Sequence, residues 1–191
     1  PSSETPAADW ESSQHIKEEE FCRAIALGLF DYMRKSHSRG FVVSLSGGAD
    51  SSAVAVLCAM MVQLARRELG PQAFAHKLSH INGLADETSE SGVVARLLTT
   101  VYQSTRNSSQ TTRDAAAAVA AAVGANHIEL DVDSLVQDYT GKVSQAIGRQ
   151  LNWDTDDVAL QNIQARARGP SVWMLANLNG ALLLATSNRS E

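Results

Sequence analysis

Seven consecutive residues, Ser46-Gly47-Gly48-Ala49-Asp50-Ser51-Ser52, bring together two adjacent glycines, three hydroxyls and a carboxylate. A glycine pair lets backbone approach phosphate oxygens with no Cβ in the way, and the N-terminus of a following helix aims unpaired N–H groups at the anion. Ser46, Ser51 and Ser52 add hydroxyl donors. The segment lacks the Lys of the G-x-x-x-x-G-K-[ST] loop, so charge neutralisation must come from a metal ion or from basic residues elsewhere. Asp50 is the metal candidate. The plainer reading is a strand-to-helix turn in which Gly-Gly serves geometry and Ser and Asp serve as caps. Other residues must decide between the two.

Further chemistry-bearing residues cluster toward the end of the chain. Twelve of the sixteen basic residues are Arg, and Arg149, Arg166, Arg168 and Arg189 fall in the last quarter, where a polyphosphate substrate can use planar bidentate donors. The four-residue step from Asn162 to Arg166 puts both on one helical face. Asp154, Asp156 and Asp157 read as a dipole-compensating helix start and only weakly as a metal site. His76 and His80, with Glu87 and Glu90 nearby, have zinc-like spacing without a supporting motif, so surface histidines are the default.

The elements that must position these residues alternate in type. Residues 1–13 are polar and read as a flexible lead-in, and residues 14–191 as the folded domain. Phe21, Ile25, Leu29 and Met33 recur every four positions and predict an amphipathic helix over 16–35. A continuous apolar run over 41–45 predicts a central parallel strand, followed by the glycine loop and a helix from Asp50 to about residue 69 carrying Val54, Leu57, Met61, Leu64 and Ala65 as its stripe. Strands over 97–103, 127–132 and 181–186 alternate with helices over 115–123, 134–147 and 156–179. Gly169-Pro170 predicts a kink or restart in the last helix. Residues 70–92 are polar and turn-rich and read as a surface flap. The alternation predicts an α/β fold, a doubly wound parallel sheet with helices on both faces and a ligand crevice at the strand C-termini.

Composition narrows the classes. A chain of 191 residues with 44% apolar content suffices for one globular domain. A formal charge of −5 argues against broad phosphate neutralisation of nucleic acid. Cys22 and Cys58 form neither a CxxC pair nor a metal cluster and read as buried free thiols in a reducing compartment. The apolar stretches read as too short to span a bilayer and no signal-peptide pattern opens the chain, so a soluble cytoplasmic protein is expected. Pro1 in place of Met suggests a fragment of a longer polypeptide.

The S-G-G-x-D-S-[ST] string resembles the PP-loop of ATP pyrophosphatases, which split ATP between the α and β phosphates while adenylating a substrate. Gln161-Asn162-Ile163-Gln164-Ala165-Arg166-Ala167-Arg168, followed by Leu182-Leu183-Leu184-Ala185-Thr186-Ser187-Asn188-Arg189-Ser190-Glu191, resembles the paired substrate motifs of NAD synthetases. Between them and the loop, Ser104-Thr105-Arg106-Asn107-Ser108-Ser109 is similar to the Ser-Arg-x-Ser-Ser stretch of the glutamine-dependent members. The resemblance runs over residues 21–191, is weakest over 70–92, and breaks off at Glu191 inside a family motif, which adds to the expectation of a fragment. Family members continue an unbroken helix after Ala-Arg-x-Arg, and Gly169-Pro170 departs from that.

The resemblance implies a Rossmann-like sheet of the adenine nucleotide alpha-hydrolase type and ATP-dependent amidation of deamido-NAD to NAD through an adenylated intermediate. It implies that Ser46, Gly47, Gly48, Asp50, Ser51, Ser52 and Thr186 surround ATP, and that Asn162, Arg166 and Glu191 face deamido-NAD. Asp50 and Glu191 would hold Mg²⁺ and act as the catalytic carboxylates. Neither cysteine matches a glutaminase nucleophile, so ammonia is the expected nitrogen source, with a glutaminase domain elsewhere in the full-length protein and a homodimer as the assembly. A polypeptide ending at Glu191 is expected to bind ATP weakly and make little NAD. The competing readings are another PP-loop adenylating enzyme, GMP-synthetase-like or tRNA-modifying, and a nucleotide-binding module without turnover. No nucleic acid or membrane partner is expected.

Overall fold

The computed structural model describes residues 8–186. Strands β1 (Phe41–Ser44), β2 (Leu98–Ser104), β3 (Asn126–Asp131) and β4 (Leu182–Leu184) form a parallel sheet in the order β3-β2-β1-β4. Val43 lies opposite Thr100 of β2 and Leu184 of β4, and Gln103 of β2 opposite Leu130 of β3.

Strand alternation sends β1 into two cores. Phe41, Val43 and Leu45 pack with helices α1 (Ile16–Ser36), α2 (Ala49–Leu69) and α5 (Gln110–Val123), through Phe30, Met33, Cys58, Met61, Ala116 and Ala120. Val42 points the other way and meets Val101 of β2 with Val172 and Ala176 of α8 (Gly169–Asn179). Helices therefore cover both faces, as a buried parallel strand requires. Each side chain fully withdrawn from water here contributes on the order of 1.5–3 kcal/mol. Helix α2 has the length and composition of a membrane span, contrary to the sequence reading, yet it packs against α1, α5, β1 and β2 as a core helix.

Several expectations are corrected. Only the second half of the predicted stripe of α1 faces the core: Phe21 and Ile25 are exposed, Leu29 packs half-buried against the core, and Met33 is buried together with Ala26 and Phe30, which lie off the stripe. A step of four residues turns about 40° beyond a full helical turn, so a strict four-residue repeat spirals from solvent into the core. The deepest face of α2 runs through Ser51, Ala55, Cys58, Ala59, Met61 and Val62, and of the predicted stripe only Met61 is fully buried. Cys58 is a buried free thiol as expected, but Cys22 is only partly buried. In the expected lead-in, Asp9–Ser12 form a 3-10 turn, and the Arg23 guanidinium lies over the Trp10 ring.

Residues 70–92 are not a surface flap. They contain α3 (Pro71–Lys77) and the start of α4 (Glu90–Leu97), and Phe74, Leu78, Ile81 and Leu84 are all buried in the main core. Pro71 sits in the first turn of α3, where its missing N–H costs nothing, and Ser89 caps α4 by accepting from the Gly92 N–H. Toward the C-terminus α6 spans Asp133–Ile147 and α7 spans Asp157–Arg166, and the helix expected over 156–179 breaks at Ala167-Arg168 before α8 restarts at Gly169-Pro170.

Candidate phosphate site at the sheet switch point

From β1 the chain proceeds through β2 to β3 on one side and returns for β4 on the other, so the strand order reverses at the β1/β4 boundary. Ligand crevices of such sheets lie there, beyond the strand C-termini. Ser46 leaves β1 three residues past Val43, and Thr186 follows two residues past its register partner Leu184, so both emerge at the same edge. Thr186 is exposed there.

Gly48 is the N-cap of α2 in an extended conformation and has no side chain to cap with, so the first-turn N–H groups of Ala49, Asp50 and Ser51 are left to an outside acceptor. Gly47 takes φ +80°, and a Cβ there would lie 2.4 Å from the Thr112 carbonyl oxygen, so only glycine fits. The three serines divide the work. Ser51 is buried, and its hydroxyl accepts from the Ser46 N–H at 3.2 Å and donates to the Gly48 carbonyl at 3.2 Å, which fastens the loop from inside. The Ser52 hydroxyl also donates to the Gly48 carbonyl, at 2.7 Å. Ser46 is exposed at the rim and its hydroxyl accepts from the Gly48 N–H at 3.3 Å. Asp50 lies exposed in the first turn of α2, with no hydrogen-bond or ion-pair partner among the described residues.

Asn162 and Arg166 share an exposed face of α7, joined by a 3.0 Å hydrogen bond from the guanidinium to the amide oxygen. Two residues on, Arg168 is pinned: its Nε donates to the Gln103 carbonyl and the Gln103 amide donates to the Arg168 carbonyl, at 3.3 and 2.9 Å. That reciprocal pair ties the α7–α8 junction to the C-terminal end of β2, the ligand edge of the sheet. Arg149 forks onto Asp156 with two 2.7 Å bonds, holding that carboxyl well below the usual carboxylate range. Glu191 and Arg189 lie outside the described residues.

The Ser104–Ser109 segment leads from β2 into α5. Its Arg106 chelates Asp133 at the start of α6, and that contact keeps the Asp133 carboxyl below its ordinary range. Ser109 caps α5 by accepting from the Thr112 N–H. Thr112, which the sequence reading left without a role, lies directly behind Gly47, with the Tyr102 phenol against its hydroxyl; a Thr in a polar helix start carries no signal of what it will touch. His80 bonds the Ser38 carbonyl at 2.9 Å, His76 is exposed, and no metal-ligating cluster occurs among the described residues. A cavity of about 860 Å³ opens at the opposite, N-terminal edge of the sheet, lined in part by Arg39, Arg96 and His127. Helices α4, α5 and α8 end there, and the Arg96 guanidinium is occupied by Glu87, which also lines the cavity.

The sequence profile of the NAD synthase family matches residues 21–191. The chain belongs to that family. It is 33% identical over 184 residues to the glutamine-dependent NAD(+) synthetase of Oryza sativa subsp. indica, covering 91% of this chain and 25% of that protein. It is 32% identical over 207 residues to the Drosophila melanogaster enzyme of the same name, covering 98% and 26%. A crystal structure of a glutamine-dependent NAD(+) synthetase from Cytophaga hutchinsonii superposes with a TM-score of 0.86 at 47% identity, over 92% of this chain and 32% of that one. The chain thus spans about a quarter to a third of these relatives. Within a NAD synthase fold, the glycine loop, Thr186 and the α7–α8 junction belong to the ligand edge of one parallel sheet.

Proposed function

We propose that this chain carries the site for the ATP-dependent amidation of deamido-NAD to NAD in the full-length protein, with the loop from Ser46 to Ser52 as the phosphate cradle. The observation that carries the reading is the open first turn of α2 at the switch point of a NAD synthase fold, with Asp50 exposed beside it and without a partner among the described residues. A carboxylate resists amidation because oxide is a poor leaving group. Attack of its oxygen on the α-phosphorus of ATP forms a mixed anhydride as the bond to pyrophosphate breaks. Ammonia then adds to the activated carbonyl, AMP departs with the bonding pair, and a proton is lost.

In this reading the N–H groups of Ala49, Asp50 and Ser51 bind the departing pyrophosphate, and the Ser46 hydroxyl lies at the rim to orient it. The donor set around the loop is carboxylate and hydroxyl oxygen, the hard set that Mg²⁺ prefers, and Mg²⁺ commonly takes only one or two protein carboxylates beside substrate phosphates. Asp50 would hold it, with Glu191 as the second carboxylate, and the ion would neutralise polyphosphate charge. Asn162 and Arg166 present an amide and a planar guanidinium for the dinucleotide, and Thr186 adds a hydroxyl beside ATP.

Ammonia is the nitrogen donor to this chain, and a glutaminase domain elsewhere in the full-length protein supplies it, in line with the names of the relatives. The assembly is a homodimer. Its support is an exposed apolar stripe on α6, Leu135, Tyr139, Val143 and Ile147. The protein acts in the cytoplasm, a reading supported by its two free thiols.

The test is Asp50→Asn, which keeps shape and removes the charge. Mg²⁺-dependent pyrophosphate release should fall by about a hundredfold or more while the melting temperature holds. Unchanged release would reject Asp50 as a ligand, and ATP binding without pyrophosphate release by the unaltered full-length protein would make it a non-catalytic nucleotide binder.

A further inference from the structure

The cradle does not rest on β1 alone. Gly47 lies so close to the Thr112 carbonyl that no Cβ fits between them, so the loop is backed by the first turn of α5. Thr112 is itself held from several directions. Its N–H donates to the Ser109 hydroxyl at 3.2 Å and its hydroxyl donates to the Ser109 carbonyl at 2.9 Å. The Tyr102 phenol oxygen lies 2.9 Å from the Thr112 hydroxyl, and because that hydroxyl spends its one proton on Ser109, the phenol is the donor. Tyr102 is buried in the main core and cannot swing away.

The chain of contacts continues into the serine-rich segment that the proposed reaction leaves without a task. Thr105 and Ser108 close a turn, the Thr105 N–H donating to the Ser108 hydroxyl and the Ser108 N–H to the Thr105 carbonyl, each at 2.9 Å. Arg106 anchors the turn to Asp133, and Ser109 ends it on the α5 cap. Hydrogen bonds joined by short stretches of backbone therefore lead from the start of α6 to Thr112, whose carbonyl Gly47 sits against.

We propose that Tyr102 and Thr112 are positioning residues for the phosphate cradle. Glycine populates positive and negative φ about equally, so a Gly-Gly loop left unsupported samples many shapes and loses affinity to the entropy of choosing one. The Thr112 carbonyl, fixed by Tyr102 and Ser109, removes the alternatives in which Gly47 moves toward α5. The loop then meets phosphate with its N–H groups already convergent, and preorganised donors gain most on a charged group. This rests on the reading of the loop as an ATP site, and it assigns the serine-rich segment a purpose, to hold that site in shape.

The experiment compares Tyr102→Phe, Thr112→Val and Thr112→Ser in the full-length protein, with ATP, inorganic pyrophosphate and adenosine as calorimetric probes and amide exchange over residues 46–51 as a second readout. Loss of one neutral hydrogen bond should weaken ATP and pyrophosphate by about three- to tenfold in Tyr102→Phe and Thr112→Val. Adenosine should bind as before, Thr112→Ser should restore phosphate affinity, and exchange over the loop should speed up in the two weakened variants. Failure of the unaltered chain to bind ATP or pyrophosphate would overturn the cradle reading and this role with it. If the unaltered chain binds but Tyr102→Phe keeps full affinity, or loses adenosine to the same extent, the positioning role alone is overturned. Should Thr112→Val not fold, Tyr102→Phe decides, because it removes only the phenol oxygen.

Discussion

Gly47 and Gly48 are neighbours in sequence under opposite constraints. At Gly47 the backbone is left-handed and an added Cβ meets a carbonyl oxygen at 2.4 Å, whereas at Gly48 φ is −86° and the nearest atom is the movable Ser46 hydroxyl at 3.3 Å. Gly47→Ala should therefore cost about 1–3 kcal/mol and remove ATP binding, while Gly48→Ala should cost less than about 1 kcal/mol. Urea melts of the two variants check this, and equal costs would mean that α5 yields to the new methyl group. His127 supplies a second test at this scale. Its Nδ1 lies 2.9 Å from the Thr100 hydroxyl, its Nε2 is buried without a partner among the described residues, and burial pushes its pKa below the ordinary imidazole value against the smaller opposing pull of Glu129. The unfolded chain then binds the proton more readily, so this contribution is complete above the ordinary imidazole pKa and is lost as pH falls through it. The urea midpoint should fall as pH drops below the ordinary imidazole pKa, and His127→Gln should reduce that fall.

Helices and strands here are placed by a few large side chains. Phe74 of α3 is buried and stacks on Phe30 of α1 with ring centroids 5.8 Å apart, so the segment from Gly70 to Gly92 is part of the core that orders α1 and α2. Phe74→Ala should cost about 3–5 kcal/mol, the loss expected for a buried aromatic, where a loose flap would lose almost nothing. Chemical denaturation with intrinsic fluorescence reads the difference. The break between α7 and α8 is set in the same way, with the Pro170 ring forcing the restart and the Gln103–Arg168 pair fixing where it happens.

Across the whole molecule, apolar surface is left over. Leu135, Tyr139, Val143 and Ile147 are each 40% to 50% exposed at successive turns on the solvent side of α6, more than a solvated helix needs to present. With the proposed homodimer built on that face, Tyr139→Glu combined with Val143→Glu should yield a monomer with little change in melting temperature. Sedimentation velocity on the variant and the unaltered protein decides it, and a monomeric unaltered protein would remove the homodimer from the account. The formal charge of −5 is modest for two copies of this size and leaves such an association electrostatically open.

The order of strands and helices, the glycine loop and the family were legible in the sequence because each is a local signal: an apolar run, a Gly-Gly pair before a helix, a spacing of polar residues. The burial of the segment after α2 was legible in principle too, since Phe74, Leu78, Ile81 and Leu84 recur at regular intervals among polar neighbours, although only Phe74 lies in α3. Other features depend on what a helix packs against. No local pattern states which of two adjacent faces of α1 is buried, that Ser51 turns inward while Ser46 faces the rim, or that Arg149 is held by Asp156. The contact of Gly47 with Thr112, 65 residues apart by number, exists only because β1 and β2 are neighbours and α5 starts where the loop turns. Sequence determined which groups could bind phosphate; the packing of α5 beneath the loop decided the shape in which they are held, because a backbone of paired glycines has no preference of its own.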